Sequence, residues 1–259
     1  MIDSNLDSAN AAAGRMDAEN LFEFRCSPGV PCFTQCCLDV TIVLTPYDVL
    51  RLKNRLEITS EDFIDRYTIV IPKAGRLIPL VVLKMNDEDK KCPFVTREGC
   101  TVYEDRPWPC RMYPLDMNED GTFRIIADAS RCKGLREHDR RVISDWLIEQ
   151  GVPPYDEMNN LFAQITTPLQ AQEFDIDNPQ ISKMIFMSLY NADAFRNFVF
   201  QSSFLQKFEI DTSRLEKIKR KDIDLLKLAY DWIKFGIFGQ KVLDVKQKAP
   251  ERAASPSGE

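Results

Sequence analysis

The chemistry of this chain is concentrated in its thiols. Eight cysteines occur in 259 residues, and all of them, Cys26, Cys32, Cys36, Cys37, Cys92, Cys100, Cys110 and Cys132, lie within the first 132. Thiolates are ligands for soft and borderline metals, and four of them complete a tetrahedral zinc site or the outer sites of an iron–sulfur cluster. Eight therefore suffice for two such sites, or for one site with structural or redox thiols beside it. Spacing excludes several common devices. No C-x-x-C pair exists, which removes thioredoxin-like exchange and zinc-ribbon knuckles. The C-x-x-C-x-x-C run of bacterial ferredoxins is absent as well. Cys32 and Cys36 have the first gap of a radical enzyme's C-x-x-x-C-x-x-C triad, but Cys37 follows at once. Neighbouring side chains point in different directions, so Cys36 and Cys37 are expected either to serve different partners or to bridge one site across a sharp turn.

Composition decides how these thiols are read. The first twenty residues are polar and acidic and lack the basic start and apolar stretch of a secretory signal. No run approaches the length of a membrane-spanning helix. The expected location is the cytoplasm, where thiols stay reduced and metal or redox use outweighs disulfides. A chain of this length also needs no staples to fold. The net charge of −6 offers no attraction to nucleic acid or to an anionic membrane, and from Arg97 to Arg141 basic and acidic residues balance at nine each. Neither is expected as a partner; a protein substrate or protein partner stays open.

Other chemistry has little support. The single histidine, His138, sits among charged residues at an expected helix start and reads as a solvated surface group. No Ser-His-Asp or Cys-His set can be built on it. No G-x-G-x-x-G or Walker loop occurs, so a standard nucleotide site is not expected.

The elements that must position the cysteines are legible in part. A β-branched run, VTIVL, leads into TPYDVLRLKNRLE, where Thr45 suits an N-cap, Pro46 the first helical position and Asp48 the third. A second helix start falls near Thr59 or Ser60, with Glu61 and Asp62 at the positive end of the helix dipole. TIVIP and RLIPLVVLK, around KAG, read as a β-hairpin whose Pro72 and Pro79 belong at edges. GTFRIIAD, residues 121–128, is expected to add a third strand. Pro28, Gly29 and Pro31 bend the gap from Cys26 to Cys32, and Pro93, Pro107, Pro109 and Pro114 stiffen the loops around Cys92 and Cys110. Arg111 is placed to bond cluster sulfurs or offset thiolate charge; the bland alternative pairs Arg106 and Arg111 with Glu104 and Asp105 at the surface. EHDRRVISDWLIEQG reads as a helix with Val142, Ile143, Trp146 and Leu147 on one face, ending at Gly151. Beyond it, ISKMIFMSLYNADAFRNFVFQSSFLQKF and IDLLKLAYDWIKFGIFG are helical, with Phe186, Phe195, Phe198, Phe204 and Trp232 as core. The fold class is therefore α+β, mainly helical. The expected plan is a tail over 1–20, a cysteine-cluster module over 21–150 with a short hairpin or small sheet, a helical module over 151–245 and a disordered tail over 246–259.

The segments FRCSPGVPCFTQCC, IVLTPYDVLRL and CPFVTREGCTVYEDRPWPCRMYPL, closed by Cys132 in RCKGL, resemble the YkgJ-type cysteine-cluster family over roughly residues 22–135. That family is described as a zinc- or iron-chelating domain and includes flagellin N-methylase-like proteins. The five-residue gap between Cys26 and Cys32 departs from the shorter gaps common in it. The resemblance implies a metal or iron–sulfur site on the eight cysteines, and for its methylase-like members methyl transfer to protein lysine. An iron–sulfur cluster is the expected cofactor, with zinc as the alternative, because knuckles and histidine ligands are both missing. Whether the chain is an enzyme, as a cluster-dependent methyltransferase or oxidoreductase, or a zinc-stabilised interaction module stays open.

Overall fold

The structure is a computed structural model that describes residues 14–72, 76–171 and 178–246. The KAG turn, most of the N-terminal tail and all but Lys246 of the C-terminal one lie outside the described residues. Five antiparallel strand pairs decorate a mainly helical framework. These are β1 (Leu21–Glu23) with β8 (Arg140–Val142), β2 (Thr68–Ile71) with β3 (Leu80–Leu83), β4 (Val95–Thr96) with β5 (Gly99–Cys100), β6 (Leu115–Met117) with β7 (Phe123–Ile125), and β9 (Phe208–Glu209) with β10 (Asp244–Val245). The helices are α1 (Pro46–Arg55), α2 (Ser60–Tyr67), α3 (Trp108–Met112), α4 (Ile143–Glu149), α5 (Pro153–Ala171), α6 (Pro179–Tyr190), α7 (Ala192–Gln201), the single turn α8 (Phe204–Lys207), α9 (Thr212–Arg220) and α10 (Asp222–Phe238). The α+β class holds. Among the described residues no helix is long and apolar enough to cross a membrane.

Local chemistry explains where the first helices begin. Thr45 accepts from the Asp48 N–H while the Asp48 carboxylate accepts from the Thr45 N–H, a reciprocal box that satisfies two otherwise orphaned donors. Thr59 caps α2 by accepting from the Asp62 N–H at 3.1 Å. The expected β2–β3 hairpin forms, with Thr68 against Leu83 and Ile71 against Leu80. Pro72 and Pro79 fall just outside it, where no ladder donor is lost. Val43 of VTIVL forms a bridge to Val82 along the other edge of β3.

Three expectations need correction. The segment 121–128 does not extend the β2–β3 hairpin; Phe123–Ile125 pairs with Leu115–Met117 in a hairpin of its own. The helix over EHDRRVISDWLIEQG is shorter, because Arg140–Val142 instead pairs with Leu21–Glu23 and α4 starts only at Ile143. Pairing there buries Phe22 edge-on to Trp146 at 5.3 Å, a contact that a helix over Arg140–Val142 would forgo. His138 therefore precedes a strand rather than starting a helix, and stays exposed beside Glu23 at 3.1 Å.

Two cores result. The larger joins Leu44, Leu52, Phe63, Val81, Phe94 and Val102 to Tyr155, Phe195, Leu225 and Tyr230 of the later helices. Phe195, Phe198, Phe204 and Trp232 meet there as an aromatic cluster with ring centroids 5.2–6.2 Å apart. The smaller core holds Phe22, Phe24, Met112, Leu115, Phe123, Ile143 and Trp146, and Cys132 is buried in it. The cysteine loops run over and between these two cores.

Candidate metal centre

The first loop carries four cysteines through a chain of tight turns. Val30 donates to the Ser27 carbonyl, Phe33 to Val30, Gln35 to Cys32 and Cys37 to Thr34, all at 2.9–3.0 Å. Thr34 and Asp39 take left-handed backbone conformations, φ 68° and 51°, on either side of the Cys36–Cys37 pair. That conformation costs a side-chain-bearing residue about 1–2 kcal/mol and is held only where its surroundings fix it.

Backbone contacts pin the two ends of this loop to different partners. At its start, Arg25 donates to the Gly134 carbonyl at 3.1 Å, and the Lys133 N–H donates to the Cys32 sulfur at 3.1 Å. The approach is close enough that a Cβ on Gly134 would stand 2.5 Å from the Arg25 carbonyl oxygen. At its end, Asp39 donates to Lys90, Leu38 bridges Lys91, and Cys92 donates to the Cys37 carbonyl at 2.9 Å. The β4–β5 hairpin then sets Cys100 opposite Val95, which itself donates to the Cys92 carbonyl. Gly99, at φ 128°, lets that hairpin turn beneath the Phe33 ring.

Cys110 lies in α3, and α3 is anchored by two buried charges. Asp48, fully buried, accepts the Trp108 N–H at 2.8 Å, while the Trp108 indole donates to Asp156 at 2.6 Å. Burial pushes the Asp48 carboxyl up, and the N–H groups of Trp108 and Thr45, the Thr45 hydroxyl and Arg111 pull the other way. Arg111, 4% exposed, donates to the carbonyls of Arg106, Gln150 and Glu104 at 2.6–2.9 Å and to the Tyr155 hydroxyl at 3.1 Å. Arg106 is also buried and donates to the Tyr103 carbonyl and the Gln150 side chain, while Asp105 pairs with Arg51. Arg111 therefore holds backbone oxygens rather than sulfurs, and neither arginine forms the surface pair with Glu104 or Asp105.

The electrostatics repeat the backbone grouping. Cys26, though at the surface, has its thiol pushed up to about 11, by burial of the group first and then by Cys36, Cys32 and Cys132. Burial pushes Cys110 up to about 12, with Cys92, Asp48, Cys100 and Cys36 adding to it. Cys92, Cys100 and Cys132 rise for the same leading reason. Cys36 goes the other way, to about 7, because Cys37 donates a hydrogen bond to its sulfur; Cys37 is raised by that same bond. The pair titrates as a unit. The Tyr113 hydroxyl donates to Cys132 and is pushed above its ordinary value by burial and by that neighbour.

All eight thiols are free, and they sort into neighbourhoods. Cys26, Cys32 and Cys132 gather at the Gly134 end, Cys37, Cys92, Cys100 and Cys110 at the β4–β5 end, and Cys36 is felt from both. Among the described residues no three His, Cys, Asp or Glu side chains already close on a common point as ligands of one ion would. The donor set nevertheless fits a thiophilic metal in kind and number, since eight soft sulfur donors gather in two neighbourhoods. Sequence reasoning missed three supporting groups: Asp48, whose capping role is legible but whose grip on Trp108 is not, the Tyr113 hydroxyl and the Lys133 amide.

Comparison with known proteins agrees with this reading. Residues 25–139 match the model of the family labelled CxxCxxCC and described as "Putative zinc- or iron-chelating domain". The resemblance drawn from the cysteine segments thus holds over that stretch. No curated protein and no solved structure matched the chain.

Proposed function

We propose that residues 25–139 bind metal through two four-thiolate sets, Cys26, Cys32, Cys36 and Cys132 in one and Cys37, Cys92, Cys100 and Cys110 in the other. The observation that carries this is the backbone registration of the first loop, tied by Arg25 and Cys32 to Lys133–Gly134 and by Cys37 to Cys92. Cys36 is assigned to the first set because it weighs more on the Cys26 thiol than any other cysteine does, and the second set has four thiols without it. Four thiolates per set, no histidine within them and no C-x-x-C knuckle favour an iron–sulfur cluster over structural zinc. Bound there, a cluster would supply electron storage or transfer; zinc would supply only cross-linking. This chain's own part is to hold the sulfurs on rigid loops and shield them: Lys133 N–H and the Tyr113 hydroxyl donate to sulfur, and Asp48 and Arg111 fix the helix bearing Cys110.

Anaerobic purification with iron, sulfide and zinc analysis and a visible spectrum tests the metal. A colourless protein that holds none of them and keeps its fold in chelator would overturn the reading. Serine replacement tests the partition. Cys132→Ser and Cys110→Ser should each remove about half of the bound metal, and Cys132→Ser with Cys110→Ser together nearly all of it. Complete loss from either single change would mean one shared site.

A further inference from the structure

Away from the cysteines, α5, α9 and α10 line a cavity of about 260 Å³ that opens to solvent, with Leu161 and Tyr230 in its apolar lining. Three cationic side chains reach it, and two are already compensated. Arg214 meets Asp231 at 2.5 Å, and Lys227 meets Glu157 at 2.7 Å. Lys234 is different. It is only 8% exposed, its ammonium donates to the Gln164 side-chain oxygen at 2.6 Å, and among the described residues no carboxylate lies within ion-pairing distance. An ammonium has three donors, and a buried charge without a counter-ion is costly. The cavity that Lys234 lines supplies room for an anion.

We propose that this cavity is a binding site for a small organic carboxylate, with Lys234 as its ionic partner and the Leu161 and Tyr230 surfaces against its apolar body. Asp231 is already paired with Arg214 and Asp224 also lines the cavity, so every negative charge brought in meets carboxylate there, and a monoanion is favoured over a doubly charged phosphate. The site stands in the helical half and does not depend on the metal reading.

Calorimetric titration of the full chain near pH 7 tests it, with benzoate as probe, benzamide as its uncharged counterpart and inorganic phosphate as the competing anion. Benzoate should bind one to one, at least about tenfold more tightly than benzamide, since a charge-assisted hydrogen bond is worth that much or more. Phosphate should bind more weakly than benzoate. Lys234→Met should reduce benzoate affinity by about tenfold or more. Leu161→Trp, which fills the cavity from a partly exposed position and leaves the lysine in place, should do the same and serves where Lys234→Met does not fold. No benzoate binding, equal binding of benzoate and benzamide, preference for phosphate, or unchanged benzoate affinity in the folded variants would each overturn the proposal.

Discussion

Arg111 shows how far a single residue's role can lie from what its neighbours in sequence suggest. Beside Cys110 it reads as a sulfur partner, yet among the described residues its side chain bonds to backbone carbonyls and one tyrosine hydroxyl. The carbonyls belong to residues 5 to 39 positions away, so their convergence depends on the path of three loops and is invisible in a local window. Arg111→Lys keeps the charge but loses the planar fork, and stranding these buried acceptors should cost about 3 kcal/mol, read by urea denaturation. The thiols carry a second residue-scale prediction. Cys110 is pushed up to about 12 in the folded chain, from an ordinary value of 9.0. The unfolded chain therefore gives up this proton first as pH rises, and the folded state's advantage, complete below pH 9, is lost progressively towards pH 12. Metal-free protein should lose thermal stability across that window, while metal-loaded protein, its thiolates already formed, should not. Melting temperature against pH with and without chelator measures both.

At the scale of elements, what could be read from the sequence was governed by nearest neighbours. The TPYD box and the Thr59 cap are complete within four residues, and both helices begin where those residues place them. Arg140–Val142 fits a helical period equally well, and only pairing with Leu21–Glu23, more than a hundred residues earlier, makes it a strand. Gly134 and Gly99 each permit one of the close approaches that group the cysteines, which gives a paired test. Gly134→Ala drives a methyl against the Arg25 carbonyl, a contact with backbone that no rotamer relieves, and should cost about 1–3 kcal/mol. It should loosen metal at Cys26, Cys32 and Cys132 first. Gly99→Ala forces an L side chain to φ 128° and should cost about 1–3 kcal/mol while loosening the Cys92 and Cys100 set first. Metal stoichiometry under graded chelation distinguishes the two; identical loss profiles would contradict the partition.

For the molecule as a whole, the larger core draws α1, α2, β3 and the Phe94 loop into contact with α5 to α10. A buried ion cluster crosses the same boundary. Lys53 of α1 meets Asp222 of α10 at 2.8 Å, Arg196 of α7 also pairs with Asp222, and Asp193 accepts the Ser60 N–H at 2.7 Å. Burial works against ionisation of Asp222, but Lys53 and then Arg196 outweigh it and hold the carboxyl below its ordinary value. The stability this contributes is present above the ordinary carboxylate pKa and is lost as pH falls below it. Asp222→Asn leaves Lys53 buried without its nearest counter-charge and should cost about 3 kcal/mol in urea denaturation at pH 7, shrinking as the medium is acidified. One cooperative loss of both far-ultraviolet signal and bound metal would follow if the halves fold together; independent losses would contradict it. None of this cluster was legible beforehand, because each partner looks like an ordinary surface charge on an amphipathic helix.

The clamp on Arg111 also has a consequence in time. Every thiol has been made once Cys132 is added, yet two of the four oxygens that hold Arg111 come from Gln150 and Tyr155. A chain emerging N-terminus first therefore displays a full complement of reactive sulfur before it can fix the helix bearing Cys110. Metal loading is therefore expected only after translation has passed Tyr155, when the clamp on Arg111 is complete.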